Sequence, residues 1–236
     1  MNDVVHAVAP QEVDTDSGIA LAPSPWDLAG QGYMFALWMP QDVLDHASFI
    51  LPQTPRAGRG RIAFAMFVDY ASSDVGPYHE LLYIPGKLRF GDEARLSISR
   101  IFVSSQASVV NGRLNWGIPK DRCDFDVHYG SRDQISLRTD DGRRFAEMEL
   151  EAFGPRLPAP MQWTPRSWRT LSQVRDGKRF TYVPEASGHF RFARVRNWRF
   201  DPAVFPDLTQ GRVLAAMKIT DFRMRFPVSR IESSAV

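Results

Sequence analysis

Two short stretches of this chain carry residue types that could do chemistry together. One ends in Pro119-Lys120, after the run Asn111-Gly112-Arg113-Leu114-Asn115-Trp116-Gly117-Ile118; the other is Tyr78-His79-Glu80. The chain prefers arginine and has only four lysines, Lys87, Lys120, Lys178 and Lys218. Lys87 follows a Pro-Gly turn, Lys178 an Asp-Gly turn, and Lys218 sits inside a strand-like run. Lys120 alone lies between a Gly/Pro/aromatic stretch and an apolar strand. Taking an amine out of water disfavours its charged form. A neutral amine attacks carbonyl groups and forms a Schiff base. The plainer reading is a solvated charge, as for most lysines. Glu80 could shuttle the protons that the carbinolamine and enamine stages require, or it could be a surface carboxylate at a strand start. Tyr78 could hydrogen-bond a substrate oxygen or Glu80, or simply fill space with its hydroxyl satisfied. His79 alternates with both along an extended chain, so it should point away from them.

These landmarks, from about Tyr33 to Phe226, resemble the acetoacetate decarboxylase-like superfamily. Its hallmark is a lysine directly after a proline, preceded by a Gly-Arg element and an aromatic, here Gly112-Arg113 through Trp116 to Pro119-Lys120. A second is Tyr-x-Glu upstream, here Tyr78-His79-Glu80, and a third is an early short helix ending in Leu-Pro, here Asp42 through Leu51-Pro52. The resemblance implies a cofactor-independent lyase in which Lys120 forms an imine with a keto substrate, for decarboxylation or for aldol and dehydration chemistry. It allows a homo-oligomer. Three positions depart from the family's pattern: Asp121 follows Lys120 where a second lysine is usual, and Gln31 and Ala65 stand where an arginine and a second glutamate would be. The lost arginine position tilts the expected substrate away from a small keto acid.

Substrate-binding candidates are Gln31, a neutral donor and acceptor, Trp116 as a pocket wall, and Met66. Trp26, Phe35, Phe64 and Phe67 lie near the same motifs and favour a larger, more apolar carbonyl compound. Asp121 pulls the other way on the lysine, because a nearby carboxylate favours the ammonium form. In an extended segment Asp121 should face solvent, where its effect is screened, so burial is expected to lower the Lys120 pKa. The alternative is a lipocalin-like carrier or a cyclase without imine chemistry, since one fold hosts many functions.

Composition narrows the classes. The chain has 236 residues, 44% hydrophobic and 24% charged, with net charge +2. That suits one substantial core and lacks the basic field of a nucleic-acid partner. Cys123 is the only cysteine, so no internal disulfide can form, and it reads as a buried thiol. No secretory leader or stretch of membrane-spanning length stands out, so the reading is a cytoplasmic protein with no membrane partner. His46 and His128 have no partners at metal-ligand spacing, and no phosphate loop or Gly-x-Ser-x-Gly occurs, so no metal or nucleotide cofactor is expected.

The elements that must position the candidates are mostly strands. Residues 1–24 read as a loose arm and 25–236 as one domain. Gly32–Met39, Arg61–Asp69, Tyr78–Pro85 and Ala94–Val103 are expected strands, with a short helix at Gln41–Ile50 and another at Gln106–Val110 stopped by Gly112. Arg61–Asp69 carries no charge between Ile62 and Val68 and reads as buried on both faces. From Asp124 a meander follows, over Asp124–Tyr129, Gln134–Thr139 and Arg143–Glu151, with a hairpin turn at Asp140-Asp141-Gly142. The Pro-rich Gly154–Pro165 cannot be a central strand. Trp168–Val174, Arg179–Val183, Gly188–Phe200 and Arg212–Phe226 complete the set. The fold class is mainly β, a closed or sandwiched antiparallel barrel with a few short helices. Lys120 is expected on a loop entering the barrel interior.

Overall fold

A computed structural model describes residues 18–159 and 164–233. Its larger sheet has ten strands in the order β7-β6-β3-β2-β1-β14-β13-β10-β9-β8. These are β1 (Trp26–Trp38), β2 (Ile62–Ser72), β3 (Tyr78–Ile84), β6 (Arg100–Val103), β7 (Lys120–Arg122), β8 (Asp124–His128), β9 (Asp133–Arg138), β10 (Arg144–Pro158), β13 (Glu185–Phe200) and β14 (Arg212–Phe226). The edge strands β7 and β8 are consecutive in the chain and separated only by Cys123, so the sheet curls into a nearly closed barrel. A second, five-stranded sheet runs β15-β12-β11-β5-β4. Its strands are β4 (Lys87–Phe90), β5 (Glu93–Leu96), β11 (Leu171–Arg175), β12 (Lys178–Tyr182) and β15 (Arg230–Ser233). The short helices are α1 (Gln41–His46), α2 (Gln106–Trp116) and α3 (Arg166–Arg169).

Alternation along the strands divides the apolar residues between two cores. Tyr33, Phe35, Leu37, Ala65, Phe67, Leu81 and Tyr83 face inward with Phe145, Met148 and Leu150 and fill the barrel. Phe35, Phe67 and Leu81 are fully buried, and each such side chain contributes roughly 1.5–3 kcal/mol. The other face of β1, β2 and β3 carries Trp26, Leu28, Tyr70, Tyr78, Leu82 and Ile84. These join Val109 and Trp116 of α2 and Tyr182 of β12 in a second core outside the barrel. Membership of both cores makes β3 the most deeply buried strand of the wall.

Several expectations are corrected. Arg61–Asp69 reads as buried on both faces, yet β2 alternates: its inner residues are covered while Phe64, Met66 and Val68 are only half-buried. The expected strand Ala94–Val103 splits between the two sheets, since β5 pairs with β4 and β6 pairs with β3. Strand β10 continues to Pro158 through an irregularity between Phe153 and Leu157, where Gly154 has φ +76°. Trp168 and Arg169 are helical rather than extended. Helix α1 ends at His46, short of Ile50. Of the expected loose arm, residues 1–17 lie outside the described residues, and the segment after them is hydrogen-bonded to α2. The Ala22 amide donates to Asn111 Oδ1 (2.7 Å), and Asn115 Nδ2 donates to the Ala22 carbonyl (2.8 Å). Among the described residues no helix is long and apolar enough to cross a membrane.

Candidate active site

The element that positions Lys120 is a crossover. Strands β6 and β7 run parallel, with Ile101 opposite Lys120, and parallel neighbours need a connection that leaves the sheet plane. Helix α2 supplies it. The Ser105 hydroxyl caps its start by accepting from the Ser108 amide (3.3 Å), as an N-cap serine does. Gly117 ends it at φ +64° with its amide on the Arg113 carbonyl, a left-handed C-cap. The helix therefore runs past Gly112, which sequence reading assigned as its stop. Gly112 has a different task. A Cβ there would sit 2.8 Å from Lys120 Cδ and 2.9 Å from Cε, so the missing side chain is the groove in which the lysine lies.

Lys120 is consequently the first residue of β7, on the outer face of the wall beneath α2. This corrects its expected place on a loop entering the barrel. Lys120 and Glu80 are both buried, each 4% exposed. Lys120 Nζ lies 2.9 Å from Glu80 Oε2, donates to Ser108 Oγ at 3.0 Å, and sits 3.5 Å from the Tyr78 hydroxyl. The Tyr70 hydroxyl donates to the other carboxylate oxygen, Oε1, at 3.3 Å. Tyr70 and Tyr78 face each other across β2 and β3, their ring centroids 4.6 Å apart. The structure thus brings Lys120, Glu80 and Tyr78 together, adds Ser108 and Tyr70, which the sequence reading did not single out, and gives Gly112 a place beside the lysine rather than at the end of the helix.

Burial is the largest influence on Lys120 and lowers its pKa, as expected from sequence. The Glu80 charge, reinforced by Tyr78 and by hydrogen bonds to both, outweighs it and holds the pKa above the ordinary lysine value. The expected lowering is therefore corrected, because the enclosure that removes water also brings a carboxylate into contact, and unscreened attraction at such distances is strong. Burial pushes the Tyr78 hydroxyl up to about 12, and burial with the Glu80 charge raises Tyr70 well above its usual range, so both are neutral donors at neutral pH.

Asp121 does not pair with Lys120, nor does it simply face solvent. Arg100 Nη1 and Arg113 Nη2 donate to its two carboxylate oxygens at 2.6 and 2.9 Å, and Arg113 Nε donates to the Lys120 carbonyl at 2.9 Å. Both guanidiniums are spent holding β7 in place. Gln31, the expected substrate contact, lies apart from this cluster. It pairs across β1 and β2 with Asp69, which pairs with His79, and that row faces the opposite side of the sheet from Glu80. Its amide reaches Asp69 at 3.4 Å. Trp116, the expected pocket wall, is 1% exposed and packed edge-on against Trp26 and Phe226, with Nε1 donating to the Pro227 carbonyl. Met66 lies on the Glu80 face, opposite Leu82, half-buried against the outer core. Cys123 is buried and burial pushes its thiol up, which suits a structural role. A surface cavity of about 280 Å³, lined by Glu93, Arg95, Arg179, Arg230 and Glu232 among others, shares no residue with the lysine cluster. Among the described residues no three His, Cys, Asp or Glu side chains group as metal ligands.

The fold is shared with solved structures. An acetoacetate decarboxylase from Legionella pneumophila subsp. pneumophila str. Philadelphia 1 superposes with a TM-score of 0.72 at 12% identity, over 98% of this chain and 94% of that one. The enduracididine biosynthesis enzyme MppR, complexed with pyruvate, superposes at 0.64 with 15% identity, over 92% and 93% of the two chains. An acetoacetate decarboxylase-like enzyme from Sphingomonas wittichii RW1 gives 0.64 at 11% identity, over 91% and 95%. At these identities the likeness is one of fold. No curated protein matches the chain in sequence at a significant level. The family model for acetoacetate decarboxylase, however, matches residues 49–221, a span that holds Tyr78, Glu80, Ser108, Gly112 and Lys120, and on that match the chain belongs to the acetoacetate decarboxylase family.

Proposed function

We propose that this chain is a lyase that holds its carbonyl substrate as an imine on Lys120, with Glu80 moving the protons. The observation that carries this is the enclosed contact of Lys120 Nζ with Glu80 Oε2 at 2.9 Å. In the resting pair the amine is an ammonium. Passing one proton to Glu80 leaves a neutral amine and a neutral carboxylic acid, a cheap exchange in a low-dielectric site because no net charge is created. The amine lone pair then forms the C–N bond while the carbonyl π pair moves to oxygen. A proton passes from nitrogen to that oxygen through Glu80. Protonation of the resulting hydroxyl by Glu80 expels water and leaves a protonated imine beside a carboxylate. That cation is an electron sink for a bond alpha or beta to the former carbonyl. Ser108 and Tyr78 orient Nζ, and Tyr70 steadies Glu80. No other group is needed for these steps. MppR binds pyruvate and, in a further structure, the condensation product of pyruvate and imidazole 4-carboxaldehyde; a carbonyl ligand of that general class supports the reading here.

The test is borohydride reduction with a panel of aldehydes and ketones, read by intact mass and peptide mapping. We expect one adduct, on Lys120, and none on Lys87, Lys178 or Lys218. The trapping rate should rise from neutral into alkaline pH, because the raised Lys120 pKa makes the free amine scarce below it. The resting ammonium also favours a second reading, a non-covalent binding protein in which Lys120 is a ligand-pairing charge. That reading takes over if no carbonyl compound leaves an adduct.

A further inference from the structure

Resting on Lys120 as the imine-forming amine, we infer that the site takes uncharged aldehydes and ketones and discriminates against carbonyl compounds bearing a carboxylate. The argument is one of charge closure. Lys120 and Glu80 form an ion pair of zero net charge, both 4% exposed. A neutral carbonyl compound converts the ammonium to an iminium and releases water, so the pair is neutral before and after. If Glu80 then removes an α-proton, the C–H pair becomes the enamine double bond and the C=N π pair returns to nitrogen. A neutral enamine faces a neutral carboxylic acid, and the balance is unchanged. A substrate carboxylate breaks that balance with an unpaired negative charge in an enclosed site, which is costly unless a cation meets it.

No such cation is to hand among the described residues. Arg113 is committed to the Lys120 carbonyl and Asp121, and Arg100 to the Val204 carbonyl and Asp121. His79, next to Glu80 in sequence, faces the other side of β3 and pairs with Asp69. The polar groups beside the pair are uncharged: the hydroxyls of Ser108, Tyr70 and Tyr78, and that of Tyr182 of the small sheet, which has the Gln173 carboxamide next to it. Tyr182 is 2% exposed, feels the Glu80 charge, and its hydroxyl, with Gln173 beside it, makes no hydrogen bond of good geometry. A spare phenol suits a neutral substrate oxygen. The enamine is accordingly directed to carbon–carbon bond formation or cleavage of the aldol type, or to dehydration, and not to loss of carbon dioxide.

The experiment compares borohydride trapping of matched pairs: butanal against 4-oxobutanoate, and 2-pentanone against 4-oxopentanoate with its methyl ester. We expect the neutral member of each pair, and the ester, to be trapped at least about tenfold faster than the carboxylate on wild-type protein. Glu80→Gln, which leaves the site with a net positive charge, should narrow or invert the ratio. Carboxylates trapped as fast as the neutral compounds would overturn the inference and leave the imine standing. An ester trapped as poorly as its acid would also overturn it, by assigning the preference to size. Should no compound give an adduct while free lysine is reductively alkylated in the same mixture, the imine reading itself falls and this inference with it.

Discussion

The wall of the barrel carries two lysine–carboxylate pairs on opposite faces, and they are built differently. On the outer face Lys120 meets Glu80 under α2. On the inner face Lys218 of β14 meets Asp133 of β9. Asp133 is the more heavily engaged carboxylate. It accepts from the Tyr33 hydroxyl at 2.7 Å and from the Gly130 amide at 3.1 Å as well as from Lys218, whose ammonium lies 5.5 Å over the Tyr33 ring and 5.2 Å over the Tyr129 ring. These contacts tie the turn between β8 and β9 to the barrel wall. Among the described residues Glu80 accepts only from Lys120 and, at a longer 3.3 Å, from Tyr70. A carboxylate with acceptor capacity to spare can take up a proton from its partner, whereas one filled by backbone and phenol donors acts as a clasp. Burial of a charge pair is thus weak evidence of chemistry by itself; what distinguishes the pairs is how much else each carboxylate holds.

The largest effect should come from deleting each ammonium. Lys120→Met should abolish borohydride adducts and destabilise the fold by about 3–5 kcal/mol, because Glu80 is left as an uncompensated buried charge. Adding Glu80→Gln should return most of that stability but no adduct. Lys218→Met should keep the Lys120 adduct rate within about twofold and cost about 1–3 kcal/mol, since Asp133 retains two donors. Chemical denaturation and trapping on the same samples separate the two losses. Loss of adduct on Lys218→Met would show that the inner pair also takes part in the reaction.

How much of this was legible in the sequence follows from where each signal lies. Lys120 and Glu80 stand in local motifs, and strand alternation alone placed His79 on the other side from Glu80, which the His79–Asp69 contact on the inner face matches. The place of Gln31 in the sheet was not legible, for want of register. A one-residue step moves a side chain to the opposite face, and the pairing of Gln31 with Asp69 is a property of two strands rather than of either. Ser108 and Gly112 are four residues apart and so share one face of α2; extending the helix to Gly117 would have put both beside the lysine. Tyr70 and Tyr78 could have been paired by folding the hairpin about Ser73–Gly76. The raised Lys120 pKa was not legible, because it depends on a 2.9 Å contact between β3 and β7, which β6 separates in the sheet order.

Gly112→Ala should give a smaller effect that sharpens the comparison. Alanine favours a helix interior by about 1 kcal/mol over glycine, and the nearest atoms to the new Cβ all belong to the movable Lys120 side chain: Cδ at 2.8 Å, Cε at 2.9 Å and Nζ at 3.5 Å. The fold should absorb it with little change in melting temperature. Nζ, however, must leave its position between Glu80 and Ser108, and displacements of this order cost roughly ten- to a hundredfold in rate. A slow-trapping, stable protein is the expected outcome, and an unchanged rate would show that the groove under α2 does not set the amine's position.

The smallest effect belongs to the inner face. Burial lowers the His79 pKa below 6.5, with the Asp69 charge opposing it only in part. The native state therefore favours neutral His79, which stacks on Phe67 and Phe125 with centroids 6.1 and 5.6 Å away. Below pH 6.5 the unfolded chain takes up a proton that the native state declines, so this contribution is full above pH 6.5 and declines as pH falls from there through the folded pKa. Unfolding free energies measured in steps from pH 7.5 down to 5 should show that decline in wild type and a flatter profile in His79→Gln. The trapping rate on Lys120 should be the same in both proteins at each pH, because His79 and Glu80 are neighbours in sequence on opposite sides of β3. A His79→Gln protein with an altered trapping profile would mean that the two faces are coupled through the strand, and that the inner row of Gln31, Asp69 and His79 reaches the chemistry after all.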